Sequence, residues 1–409
     1  MSKKQRFVCG LDVGTEKICC LVARVRPDGR PEVLGSGYYP SAGMKKGAVV
    51  ELEQAAAAIR KAAQEAELKS MASIDWVTVG ISGDHIQGVN CRGAIPIQGK
   101  HREITGDHIA QVIRASQTVD VPADREVVHV LPQEFFLDGR GGIQNPAGLT
   151  GTRLDVDVHL VTCSSYAVQN LINAVNKAQL RVRKVVLPQL ASAEAVLTRD
   201  EKDLGTALID IGGGTTDLAL VSRNALRGTS VLPVGGGNFT RDLAIALRTT
   251  LDEAERVKKA QGSVLVDRIA EDEMVEVAGV ATRGPREIPR RIIAQVLRDR
   301  AVEVLELARN EIMRSGGRNH SLSGVVVTGG GSLLHGLLPL AEQILELPVR
   351  QGLPLGLPGL TEELVHPVYA TAVGLTLFAV EGRGERGTQP SNAGTTPWFV
   401  HRLLSWVGS

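Results

Sequence analysis

Aromatic side chains are scarce in this chain, with 3 Trp, 4 Tyr and 6 Phe among 409 residues. That composition suits many tight turns between short α/β elements. Cysteine is sparse too. Cys9, Cys19, Cys20, Cys91 and Cys163 form no CxxC pair and no Cys/His metal spacing, so they read as reduced core thiols of a cytosolic protein. Net charge is only +1, which gives no field-level argument for nucleic acid. No stretch reaches the roughly 18–20 apolar residues of a membrane span. The basic residues 1–6 lead into a strand and a Gly/Asp turn, not an apolar signal segment. Glycine, by contrast, is abundant at 45 residues, and the length allows two or more domains with buried cores.

Two of the glycine turns look alike. One reads Gly10-Leu11-Asp12-Val13-Gly14-Thr15-Glu16-Lys17, the other Ile209-Asp210-Ile211-Gly212-Gly213-Gly214-Thr215-Thr216-Asp217. Each is a β run ending in Asp, a glycine turn carrying Thr, and a second β run. Glycine lets backbone N–H groups approach an anion with no Cβ in the way. Thr15, Thr215 and Thr216 add hydroxyls, and Lys17 adds a charge for β/γ-phosphates. Asp12 and Asp210 suit Mg²⁺ held through waters, because that ion dehydrates reluctantly. Asp217 suits aligning a water or supporting its turn. Taken alone, Gly14-Thr15 is equally consistent with a plain β-hairpin, whereas three successive glycines would weaken one.

Further glycine clusters follow. Gly329-Gly330-Gly331 ends a buried strand at 324–328 and is expected to open a helix at 333–345, which can receive a base, a ribose or a phosphate. Gly235-Gly236-Gly237 precedes another helix. On the helix at 251–261, Glu255 and Lys258 share a face, either as a nucleotide-contacting pair or as a solvated ion pair. Between a strand at 76–81 and a helix at 166–179 the chain changes character. Short strands at 93–97, 127–137 and 154–162 and a helix near 107–116 read as a small inserted α+β unit. A helix is expected at 192–200, and another from Pro289 to about residue 314.

In this order the features resemble the actin-like ATPase superfamily, whose cleft lies between two related halves. Within it they resemble the FtsA family of bacterial cell division proteins. The insert carries that closer likeness, through Val128-His129-Val130-Leu131-Pro132, the run from Asn145 to Leu154, and Val156-Asp157-Val158-His159. The resemblance implies an α/β, actin-like (ribonuclease H-like) fold duplicated in two halves around a nucleotide cleft, with a small α+β inserted subdomain. It divides the chain into a first half (1–83 and 163–205), the insert (84–162) and a second half (206–227 and 301–380). A subdomain of that half, 228–300, is the expected site for the tail of the tubulin-like division protein FtsZ. ATP and Mg²⁺ are the implied cofactors, with weak or slow hydrolysis at most. Asp12, Asp210 and Asp217 carry over, and Gln189, in Pro188-Gln189-Leu190-Ala191-Ser192, stands near the superfamily's water-positioning residue. Glu16 departs from the pattern, placing a carboxylate beside the first phosphate turn. Self-assembly into filaments is implied, as is recruitment of later division proteins through the insert.

Residues 381–397 are a polar Gly/Arg/Thr/Ser/Pro linker, and residues 398–407 turn apolar again. At helical spacing Phe399, Val400, Leu403, Leu404, Trp406 and Val407 share one arc of about 160°, with Trp398 beside Arg402 on its flank. Trp favours the headgroup boundary and Arg402 can meet anionic lipid. This pattern suits an interfacial membrane helix. Docking on its own domain or in a partner's groove fits the same pattern, and the FtsA resemblance favours the membrane, implying a peripheral protein on its cytoplasmic face at the division site. Arg283, Arg286, Arg290 and Arg291 are either a solvated helix face or a surface for a carboxylate-ended peptide. The alternatives are a small-molecule kinase and a pilus-assembly or shape-determining relative of the same superfamily.

Overall fold

The computed structural model describes residues 6–99, 102–118, 120–279, 284–317 and 322–380. The chain starts with a meander, β1 (Phe7–Val13), β2 (Lys17–Val25) and β3 (Pro31–Pro40). β1 is apolar on both faces because both are covered, so it shows little alternation. A small hairpin, β4 (Met44–Lys45) and β5 (Ala48–Val49), leads into α1 (Leu52–Ser70). The helix turns Ala55, Ala58, Ala62 and Ala66 inward at helical spacing, and all four are buried. β6 (Trp76–Gly80) lies parallel to β1.

The insert then holds β7 (Gln87–Pro96), α2 (Gly106–Ala115), β8 (Arg125–Leu137), β9 (Arg140–Ile143) and β10 (Arg153–Ser164) in a sheet of order β7-β10-β8-β9. Its own core centres on Phe135 and Ile113, and burying a side chain such as Phe135 contributes roughly 1.5–3 kcal/mol. β7 begins six residues before the expected start at 93, because its first half is exposed and polar and lacks an apolar run.

α3 (Ser165–Lys177) and β11 (Arg181–Val186) complete a first sheet of order β11-β6-β1-β2-β3. α4 (Pro188–Val196) and α5 (Arg199–Leu204) replace the single helix expected at 192–200. Pro188 fits the first helical turn, while Leu197 is extended and Thr198 caps a new helix with Glu201, so the break falls inside the expected span.

The second half repeats the first. β12 (Thr206–Ile211), β13 (Thr216–Ser222) and β14 (Ala225–Leu232) form the meander. Then come α6 (Gly236–Leu247), α7 (Leu251–Gln261), a ribbon of β15 (Met274–Val277) and β16 (Arg286–Pro289), and α8 (Arg290–Ile312). β17 (Gly324–Thr328), α9 (Leu337–Leu345), β18 (Val349–Gln351) and α10 (Ala370–Val380) finish it. Its sheet runs β14-β13-β12-β17-β18, with the same antiparallel meander and the same two parallel strands as the first.

Two of the contacts that join these bodies lie away from the glycine turns. α10 crosses α4 so closely that a Cβ on Gly374 would lie 1.9 Å from the carbonyl oxygen of Ala191. The insert reaches over to the second half: Gln133 Nε2 donates to the carbonyls of Leu226 (2.8 Å) and Arg227 (3.1 Å), and Asn90 Nδ2 to that of Arg227 (3.1 Å). His159 lies between Asn90 Oδ1 (2.7 Å) and the Thr229 hydroxyl (2.9 Å), and burial depresses its pKa to about 4, so it stays neutral. Asn90 Oδ1 only accepts, so Nδ1 carries the proton and Nε2 receives the Thr229 hydroxyl.

Candidate nucleotide cleft

The two aspartate-bearing strands sit at the centre of their sheets, and each runs into the same turn. The Gly14 N–H donates to the Lys17 carbonyl at 2.9 Å, and the Gly212 N–H donates to the Thr215 carbonyl at 2.9 Å. Asp12 pairs across its hairpin with Cys19, and Asp210 pairs with Asp217. Lys17 and Thr215 are therefore equivalent positions, as are Cys19 and Asp217. The turns face each other in contact. A Cβ on Gly213 would lie 2.2 Å from Glu16 Cγ, and one on Gly214 2.4 Å from the Thr15 hydroxyl oxygen. Only glycine allows that approach. Thr15 Oγ1 also accepts from the Gly47 N–H at 3.0 Å.

Three carboxylates gather behind the turns, in different states. Asp12 is ion-paired with Lys17 at 2.5 Å, with both side chains mostly buried. Burial opposes the Lys17 charge, but Asp12 outweighs it and holds the ammonium above its ordinary range. Asp210 accepts from the Ser192 hydroxyl at 2.6 Å and the Thr371 hydroxyl at 3.2 Å. Burial raises its pKa, the Ser192 bond opposes the rise, and the Asp12 charge adds to it. Asp217 accepts from the hydroxyls of Ser82 (2.9 Å) and Thr215 (3.2 Å). Burial, then the neighbouring Asp210, pushes its pKa up to about 7. Buried acids that raise one another favour a cation between them. Among the described residues no three His, Cys, Asp or Glu form a cage for a metal ion. Two carboxylates fit Mg²⁺, which keeps waters and borrows oxygens from phosphates.

The other expected residues fall into two groups. Lys258 Nζ meets Glu255 (2.6 Å), the Thr240 hydroxyl (2.8 Å) and the Gly236 carbonyl (3.0 Å), while Thr240 donates to Glu255. This places the Glu255–Lys258 pair at the foot of the second turn. Gly329, at φ +81°, lies over Asp210, where a Cβ would come within 2.3 Å of Oδ1.

Gly236, Gly237 and Thr216 are turned toward protein. The Gly236 and Gly237 N–H groups donate to the carbonyls of Gly212 (2.8 Å) and Gly213 (2.7 Å), seating α6 on the turn. The Thr216 hydroxyl donates to the Val234 carbonyl at 2.8 Å inside the core. The glycines at 329–331 also open no α-helix. Gly330–Leu333 is one 3₁₀ turn, tied by the Ser332 hydroxyl to the Gly329 carbonyl at 2.7 Å. Gly336 at φ +84° then delays α9 until Leu337.

Gln189, near the start of α4, has no exposed surface, and neither its amide nitrogen nor its oxygen has a hydrogen-bond partner in the protein. A buried orphan amide is costly, and an ordered water normally completes one. Ser82, Ser192 and Thr371 are functional neighbours that the sequence reading missed. Each is a lone hydroxyl residue outside the motif of the acid it serves, with no local pattern to mark it. Of the four arginines, Arg283 lies outside the described residues. Arg286 bonds the Leu247 carbonyl, Arg290 pairs with Glu273, and Arg291 pairs with Glu271 at 2.9 Å. The helix expected at 398–407 and its linker also lie outside the described residues.

A family model described as "Cell division protein FtsA" matches residues 207–374, and one described as "SHS2 domain inserted in FTSA" matches residues 83–162. The chain is 40% identical to the cell division protein FtsA of Pseudomonas aeruginosa, across 98% of this chain and 97% of that one. It is 37% identical to FtsA of Escherichia coli K12, across 98% of each. The chain belongs to the FtsA family. Among solved structures, the PilM–PilN type IV pilus biogenesis complex aligns with a TM-score of 0.66 at 19% identity, covering 91% of this chain and 98% of that one. MreB5 of Spiroplasma citri bound to ADP aligns with a TM-score of 0.54 at 16% identity, covering 91% and 96%. These likenesses fix the fold as actin-like, with the duplicated halves and the inserted α+β unit described above.

Proposed function

We propose that this division protein binds ATP with Mg²⁺ between its halves, assembles with copies of itself, and tethers the FtsZ ring to the membrane through residues 398–407. The observation that carries the nucleotide reading is the meeting of two equivalent glycine turns, backed by Asp12, Lys17 and Asp210. Thr15 and Lys17 from one side, and Gly213, Gly214 and Thr215 from the other, supply the donors for phosphates, while the Gly14 and Gly212 N–H groups close the turns. Asp12 and Asp210 hold the ion, which when bound neutralises phosphate charge. Glu255 and Lys258 are the proposed contacts for the ribose and base, together with Gly329, Gly330 and Gly331. Gln189 holds and orients a water by its two amide atoms. An amide takes no proton, which fits hydrolysis that is slow at most.

The unit at 228–300 is the proposed seat for the FtsZ tail, where Ile245 and Leu251 leave apolar surface exposed on α6 and α7. Arg286, Arg290 and Arg291 are each held by bonds to neighbouring groups, which use only part of their five N–H donors. The insert is the proposed surface for later division proteins. No helix among the described residues is long and apolar enough to cross a membrane; the interfacial tail is the proposed attachment. One short helix binds weakly, and many on one filament bind tightly through effective concentration.

Liposome co-sedimentation of the full chain and of a chain ending at Gly394, each with and without ATP and Mg²⁺, tests this reading. Pelleting of the full chain alone, stronger with ATP, is the expected result. Equal behaviour of both chains under every condition overturns the tether.

A further inference from the structure

The outer end of the first sheet, opposite the cleft, carries a basic and aromatic surface that the nucleotide chemistry does not use. Trp76 opens β6 with 42% of its surface exposed. Two guanidiniums lie over its ring, Arg181 at 5.4 Å and Arg183 at 5.8 Å. A slip in pairing between Val182 and Lys184 makes this arrangement possible, because Arg183 becomes the extra residue of a bulge. Neither arginine is in an ion pair with another described residue. Beside them is a depression of about 190 Å³ lined by Phe7, Ile74, Asp75, Trp76, Arg183 and Ala379. The buried hydroxyl of Thr78 also lines it and has no hydrogen-bond partner. Arg26 and Arg30 lie exposed at the β2–β3 end of the same sheet beside Asp28, while Arg24 is paired with Glu32 at 2.7 Å.

The position of this surface matters as much as its charge. Arg6, at the entry to β1, donates to the carbonyl of Val380 at 3.3 Å. Val380 is the last residue of α10, where the sequence passes into the linker and the amphipathic segment. The tail therefore leaves the folded body from the edge that presents Trp76, Arg181 and Arg183.

We propose that this edge is a second membrane contact, which docks against anionic lipid headgroups when the tail inserts. The proposal rests on the tail reading above and extends it. Arginines near an anionic leaflet attract it, and an indole flanked by guanidiniums suits the headgroup boundary. A single weak anchor also needs a second signal for stable attachment. The contact would hold the nucleotide cleft away from the bilayer and fix which face of the molecule meets it.

Flotation of the full-length chain with phosphatidylcholine vesicles, with and without phosphatidylglycerol, tests the inference at low salt. The variant Arg181→Glu/Arg183→Glu should lose at least about tenfold in affinity for the phosphatidylglycerol vesicles, since one basic residue near such a surface is worth about fivefold. Its unfolding midpoint and its binding to neutral vesicles should stay unchanged. Arg181→Lys/Arg183→Lys should keep most of the binding. Wild-type flotation that the charge reversal leaves intact overturns this contact and leaves the tail standing. An equal loss on neutral vesicles overturns it too. No flotation of the wild-type chain on either vesicle overturns both readings.

Discussion

The first and second glycine turns share one backbone and differ in chemistry. Both close with the same Gly-to-carbonyl bond. Where the first places Lys17, the second places Thr215, and where the first has Cys19, the second has Asp217. In consequence the first turn holds a charged pair, Asp12 with Lys17, and the second holds two acids dressed by neutral hydroxyls. Duplication thus supplied two anion-ready turns, and divergence gave the cation to one side and the spare carboxylate to the other. A polyphosphate with its metal is itself lopsided, and a symmetric pair of turns would match it less well.

The comparison breaks most sharply at Asp210. Replacing it with Ala should weaken Mg²⁺-dependent ATP binding at least about a hundredfold, close to 2.7 kcal/mol. Titration with a fluorescent nucleotide, with Mg²⁺ and with EDTA, checks this, and a variant that still gains affinity from Mg²⁺ refutes the ion's placement.

Making the first turn resemble the second, by Lys17→Thr, comes next. Asp12 then loses its cation in a mostly buried site, so stability should fall by roughly 2–4 kcal/mol and ATP affinity by about tenfold, near 1.4 kcal/mol. Denaturant unfolding and nucleotide titration read the two effects, and an unchanged midpoint would remove the ion pair from the account.

Asp217 sharpens the contrast through pH. Burial and the neighbouring Asp210 push its pKa up to about 7 in the folded chain, well above the ordinary carboxylate range. Across that window the folded state binds more protons than the unfolded one. Stability should therefore be full at the acid end and fall as pH rises, by up to ~1.4 kcal/mol per pH unit. Asp217→Asn removes this slope, so the difference between variant and wild-type unfolding curves should rise with pH. A flat difference contradicts the buried proton.

The smallest effect belongs to Glu16, which sits against Gly213 and near Gly237. Glu16→Gln should tighten ATP binding about threefold by lifting a repulsion at the turn, without changing the unfolding midpoint. Weaker binding would mean that the carboxylate supports the closed turns.

Much of this was legible in local patterns. Both hairpins, the Ala-rich α1 and the inserted α+β unit follow from runs, turns and composition that act over a few residues. The insert's first strand was clipped because Gln87, Asn90 and Arg92 give no apolar run. The break between α4 and α5 escaped notice because the capping box at Thr198 and Glu201 lies inside a stretch that also suits a continuous helix. In the cleft, the aspartates and glycines were visible as motifs. Ser82, Ser192 and Thr371 were not, since tertiary packing alone brings them to Asp217 and Asp210. Likewise the burial of Thr216 and the bonding of Gly236 and Gly237 depend on how α6 sits on the second turn.

The hydrogen bonds from the insert to Leu226 and Arg227 have a mechanical consequence. The first half is joined to the insert by the chain on either side of it, at Ser82 and at Ser164, the insert to the second half by those bonds, and the two halves to each other where α10 crosses α4 and where Ser82 and Ser192 bond Asp217 and Asp210. Three bodies linked pairwise make a triangle, and a triangle, unlike an open hinge, has no free swing. Spreading the cleft must loosen one corner. The corner at Asn90, Gln133 and His159 consists of a few side-chain bonds. A load applied to the outside of the insert is thereby delivered to β14, the strand next to the one that carries Asp217.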